Sequence, residues 1–237
     1  MGHLQKLFGQ LIRDGFDQHD RSCFDGLTEE ELEAHLGMSR YGDFELTEAV
    51  RPPYDLQVVP SRGYRHDAYR DKEQGTVIPV LMASETRAKL FELFLKLTEP
   101  LGEIVDVVLE TSHKMRSNES GHEDLYREHI DAPVLQSILC DYQDLLTNDG
   151  CTGIVVLHPE LTREVQFDEH KLLIVYPNGL SGFEEILRSQ LECREEMKFI
   201  LDEECEHVHS SRDRYKMQFD ELKTRLGIDE WSSVWGS

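Results

Sequence analysis

The order of apolar segments between residues 76 and 157 limits the fold more than any other feature of the chain. Thr76–Met82, Ile104–Leu109, Leu125–Ile130 and Gly153–Leu157 are short and largely apolar, with β-branched residues prominent, as strands are. Glu85–Leu97 and the stretch after Asp131 instead repeat their apolar residues at helical spacing. The series strand, helix, strand, strand, helix, strand predicts the split β-α-β arrangement called ferredoxin-like, over about residues 76–157. Two helices would then cover one face of an antiparallel sheet, a fold of the α+β class.

The flanks extend this unit. Glu164–Phe167 and Leu172–Tyr176, joined by Asp168–Lys171, read as a hairpin that widens the sheet. Helices follow from Ser181 and from about Arg212 to Leu226, with Gly227 as the stop. Leu56–Val59 reads as a short edge strand, and Ser61–Gly75 and Ser112–Asp124 as polar loops. Before Pro52–Pro53, which halts helix, Leu4, Leu7, Phe8, Leu11 and Ile12 form one helical stripe. Thr28 and Glu31 form a capping-box pattern for a second helix. The expected division is a helical arm over residues 1–50 and an α+β core domain over 51–237.

Charge narrows the partners. The formal net charge is −22 at pH 7, and a surface of that sign repels phosphate backbones and anionic membranes. Neither nucleic acid nor membrane is therefore an expected partner; a protein or a small anionic ligand is. The five cysteines include no CxxC pair, which removes zinc ribbons and thioredoxin-like chemistry and suits free thiols in a reducing cytoplasm, the expected location. No cofactor is expected.

Common catalytic motifs are absent. His158-Pro-Glu160 copies half of a deaminase signature, but the PCxxC half is missing. Metal is not expected either. The nearest candidates are Cys205, His207 and His209, which point to one side of an extended segment because side chains alternate there. A solvated acidic turn is the plainer reading of that stretch.

One segment runs against the overall charge. Residues 51–72 hold Arg51, Arg62, Arg65, Arg70 and Lys72 against Asp55, Asp67 and Asp71. Arg62, Tyr64, Arg65, Tyr69 and Arg70 combine bidentate guanidinium groups with stiff aromatic surface, which suits a small anion or an acidic peptide. Trp231 and Trp235 dock the C-terminus or anchor a partner. The leading expectation is thus a non-catalytic binding or regulatory protein that uses this basic-aromatic loop. The alternative is a metal-assisted hydrolase whose His and carboxylate residues come from distant segments.

Overall fold

The computed structural model describes residues 26–56, 58–70, 77–113, 122–177, 181–202 and 207–228. The stripe at residues 3–13, Cys23, Cys205 and both tryptophans lie outside that set.

The chain is mixed α and β, built on a seven-stranded antiparallel sheet. Its strands are β4 (Gly63–Arg70), β5 (Val77–Ser84), β6 (Ile104–Thr111), β7 (Glu123–Asp131), β8 (Thr152–Leu157), β9 (Glu164–Phe167) and β10 (Leu173–Tyr176). They stand in the order β4-β5-β10-β9-β8-β6-β7. Short pairs β1–β2 (Arg40–Tyr41, Phe44–Glu45) and β3–β11 (Val50–Arg51, Val208–His209) lie apart from it. The helices are α1 (Glu29–Leu36), α2 (Arg87–Thr98), α3 (Ala132–Asp141), α4 (Gln143–Asn148), α5 (Ser181–Gln190) and α6 (Asp213–Arg225).

Alternation along the strands sorts side chains to two faces. One face carries Leu81, Leu109, Ile154, Val165, Phe167 and Val175, packed with residues of α2 to α6 into one buried cluster. Within α2, Leu90, Leu93, Phe94 and Leu97 are wholly buried, as its apolar excess requires. The opposite face carries a smaller cluster of Val80, Val108, Val155, Ile174 and Tyr176. Two carboxyl side chains, Glu110 and Glu164, are also buried in the sheet.

The element order over 76–157 matches the sequence expectation, but the sheet order does not. In a split β-α-β unit the first strand lies between the third and the fourth. Here β5 pairs with β4 and β10 and with neither β7 nor β8. The place between β7 and β8 goes to β6, and the hairpin β9–β10 separates β5 from β8: β9 pairs with β8 and β10 with β5, so the hairpin enters the middle of the sheet instead of extending its edge.

Two local expectations also change. Residues 56 and 58–59 form no strand, and Leu56 adopts a left-handed φ of 50°. The segment read as a loop from Ser61 is β4 from Gly63 to Arg70, paired residue for residue with β5. Other readings match at the level of named residues. Thr28 and Glu31 make the reciprocal capping box, and Gly227 follows α6 with a φ of 68°. Pro79 lies beyond Leu81–Ala83, the stretch of β5 that β10 pairs, so β5 has one sheet neighbour where proline lacks its donor. Among the described residues no helix is long and apolar enough to cross a membrane.

Candidate metal centre

Of the basic-aromatic residues, Tyr64, Arg62 and Arg65 are engaged within the fold. Alternation on β4 sends Tyr64 into the main core, where it has no exposed area. Arg62 grips the buried Glu85 with both arms of its guanidinium, Nε to Oε1 at 2.7 Å and Nη2 to Oε2 at 2.6 Å. Arg65 lies over the Phe199 ring, donates to the Met197 carbonyl at 2.6 Å, and pairs with Asp67 and Asp202. Tyr69 is half-buried against the smaller cluster, and Arg70 closes the strand. Arg62 and Arg65 are thus each paired with a carboxylate from a distant segment, Glu85 and Asp202.

Histidines converge instead at one end of the sheet. The β9–β10 turn places His170, and the segment of His207 and β11 brings His207 and His209 into the same group. Antiparallel pairing of β11 with β3 fixes that segment, with Val208 opposite Arg51 and His209 opposite Val50. The Nε2 atom of His207 is 3.0 Å from that of His170 and 2.8 Å from that of His209. All three ring centroids are 4.8 Å apart.

The outer nitrogens decide what these inner ones can do. His170 Nδ1 lies 2.9 Å from an Asp168 carboxylate oxygen, and His209 Nδ1 lies 2.7 Å from the Gly150 carbonyl oxygen. Both oxygens only accept, so both Nδ1 atoms carry hydrogen. In the neutral tautomer each Nε2 then presents a lone pair. In that tautomer the three ring nitrogens make a potential ligand set for a metal ion. A carboxylate or carbonyl behind a histidine is the usual outer support of a bound transition metal, and it makes the imidazole a stronger donor.

Electrostatics act in both directions here. Burial opposes the charged form of His170, but the Asp168 carboxylate beside it outweighs burial and raises the pKa. Burial and the neighbouring His170 hold His209 below its ordinary value. The support is rigid as well. A Cβ on Gly150 would lie 2.3 Å from the Ala49 carbonyl oxygen and 2.9 Å from that of Ser210, so only glycine fits where this carbonyl orients His209.

A second polar knot adjoins it through the same segment. Asp149, without exposed area, pairs with His113 Nε2 at 3.0 Å and accepts from Thr152 Oγ1 at 2.5 Å. Burial works against its charge, yet these bonds and one to Ser211 leave its pKa lowered. Lys171, wholly buried, donates to the Thr152 carbonyl at 2.8 Å, and burial brings its pKa down to about 8. Cys151, beside His113 and Asp149, completes a second group of potential ligands.

A third group, His66, Cys193 and Glu195, is exposed. Burial and the Glu195 carboxylate push the Cys193 thiol up, the wrong direction for a nucleophile.

The sequence therefore contains two of the three converging histidines in one short motif. His170 has no linear signal, because it lies 37 residues from His207. Comparisons with protein-family models, curated proteins and solved structures found no match.

Proposed function

We propose that this chain binds a divalent transition metal through His170, His207 and His209, and that the centre supports metal-assisted hydrolysis. The observation that carries the proposal is the convergence of three Nε2 atoms while Asp168 and Gly150 hold two of the rings from behind. All-imidazole donors suit zinc, copper or nickel better than calcium or magnesium. Three protein ligands leave the fourth position of a tetrahedron for water, as in hydrolytic zinc centres rather than closed structural ones. Aspartate and glutamate neighbours such as Asp168 and Glu169 favour a cation over an anion at this place.

This reading takes up the second of the two functional expectations and moves it to a site with one further histidine. The first, a small anion or acidic peptide bound by Arg62, Tyr64, Arg65, Tyr69 and Arg70, loses support at Arg62 and Arg65, whose guanidinium groups already hold carboxylates.

The test starts from tag-free protein stripped with chelator and titrated with zinc chloride. One equivalent should bind, and chelation should lower the melting temperature reversibly. His170→Ala and His207→Ala should each abolish tight binding, whereas His129→Ala, at an exposed position, should not. Zinc-loaded protein should then hydrolyse at least one member of an ester, amide and phosphoester panel, with the stripped protein silent. Absence of stoichiometric zinc would reject the centre. Binding without metal-dependent turnover would reject the hydrolytic part alone.

A further inference from the structure

We infer a second binding site, for a phosphate group, in the cleft bounded by Arg51, Arg87 and Arg212. It does not depend on the metal centre. The cleft has a volume of about 450 Å³, within the range of small-molecule sites, and its lining includes Glu48, Asn148 and Ser211. On a chain of net charge −22, three guanidinium groups around a single lining carboxylate are an exception.

Each arginine is placed by a different element. Arg51 ends β3, and its Nε and Nη1 donate to the carbonyls of Leu36, Thr47 and Val50 at 2.9, 2.7 and 3.0 Å. Carbonyl partners orient the group without neutralising it. Arg87 is the first residue of α2, and Arg212 is the N-cap residue of α6. The cleft thus receives the positive ends of two helices of 12 and 13 residues. The first turn of α2 contains no acidic residue and that of α6 contains Asp213; neither N-cap side chain caps its helix, and Glu85 accepts from the Thr86 N–H at 2.7 Å.

Glu48 is the internal stand-in for the ligand. One carboxylate serves two guanidinium groups, Arg87 Nη2 at 3.3 Å through one oxygen and Arg212 Nη2 through the other. A tetrahedral oxyanion offers more oxygens than a carboxylate and matches forked donors from several directions. The side chains of Glu48 and Arg87 are about one-third exposed and that of Arg212 more than half, so a ligand can reach them. At the rim, Asp144 is held by Arg214 at 2.7 Å and by the Asn148 amide at 2.8 Å, which keeps that carboxylate occupied. A cleft this large holds more than the phosphate itself, so the class of ligand is a small phosphate ester.

The test is calorimetric titration of the full chain with inorganic phosphate and, separately, with phenyl phosphate. Ionic strength is kept constant with chloride, and chelator is present so that no metal contributes. Phenyl phosphate should bind saturably, and Arg212→Gln and Arg87→Gln should each weaken it many-fold. Glu48→Gln should tighten binding several-fold by removing the tethered competitor; a purely structural Glu48 would instead leave affinity unchanged and lower the melting temperature. Comparable affinity for inorganic phosphate assigns recognition to the phosphate group alone, and a preference for phenyl phosphate assigns part of it to the ester. The proposal fails if neither probe binds wild type or Glu48→Gln saturably, or if Arg212→Gln binds as wild type does. Arg212 is exposed, so its variant tests binding without a folding defect.

Discussion

Two groups of arginines in this protein differ in how their charge is answered. Just before and within β4, Arg62 pairs with both oxygens of the buried Glu85 carboxylate, and Arg65 has two carboxylates and a carbonyl. In the cleft at the starts of α2 and α6, Arg87 and Arg212 share Glu48, while Arg51 bonds to carbonyls. The first group has at least one carboxylate per guanidinium; the second sets three guanidinium groups against one lining carboxylate. Counting charges along the sequence points to the first group, because it is denser in the linear chain. Partners from distant segments reverse the ranking.

Substitutions can break this contrast. The largest stability effect is expected at Arg62→Ala, which leaves the buried Glu85 carboxylate without its cation and should cost about 3–5 kcal/mol. Chemical denaturation would measure it, and a cost below about 1 kcal/mol would show that Arg62 is not structural. Gly150→Ala comes next. The added methyl must displace main chain, with an expected loss of about 1–3 kcal/mol and weakened zinc binding through the shifted His209 anchor.

The buried carboxyls give an effect that depends on pH. Burial, with neighbouring acidic groups second, raises Glu110 and Glu164 to about 8 from an ordinary 4.5. The folded chain therefore holds protons that the unfolded chain releases. Their stabilising contribution is complete below about pH 4.5, declines as pH rises, and is lost by about pH 8. Glu110→Gln should flatten that decline in melts taken between these limits. An unchanged slope would show that Glu110 is not the titrating group. The smallest effect is expected at Arg212→Gln, an exposed partner of a shared carboxylate, with a stability change within about 1 kcal/mol. A larger loss would place Arg212 with Arg62 and erase the distinction between the groups.

Much of the secondary structure was legible in the sequence, and the reasons are local. β5, β6 and β8 are apolar and rich in branched residues, and α2 has the matching helical stripe. The strand β4 was not, because Gly63–Arg70 looks polar along its length; Tyr64 points inward, and Arg65 finds a carboxylate as far away as Asp202. Sheet order was not legible either, since nothing in Glu164–Tyr176 states that the hairpin pairs on both sides. At the metal centre, His207 and His209 lie in one short motif. The third donor depends on the β9–β10 turn, and the carbonyl support depends on how closely Gly150 approaches Ala49 and Ser210.

The two margins of the sheet bear on how the protein behaves in a crowded solution. A bare margin offers a row of unpaired donors and acceptors to any passing strand. Along β7 that row is guarded by Glu123, Arg127, Glu128 and Asp131, whose charges would have to be desolvated before another chain could add. At β4 the protein uses its own main chain: Tyr64 N–H donates to the Glu192 carbonyl and Arg194 N–H donates to the Tyr64 carbonyl, at 3.1 and 2.8 Å. One margin is protected by repulsion and the other by occupation, and both oppose growth of the sheet into fibrils.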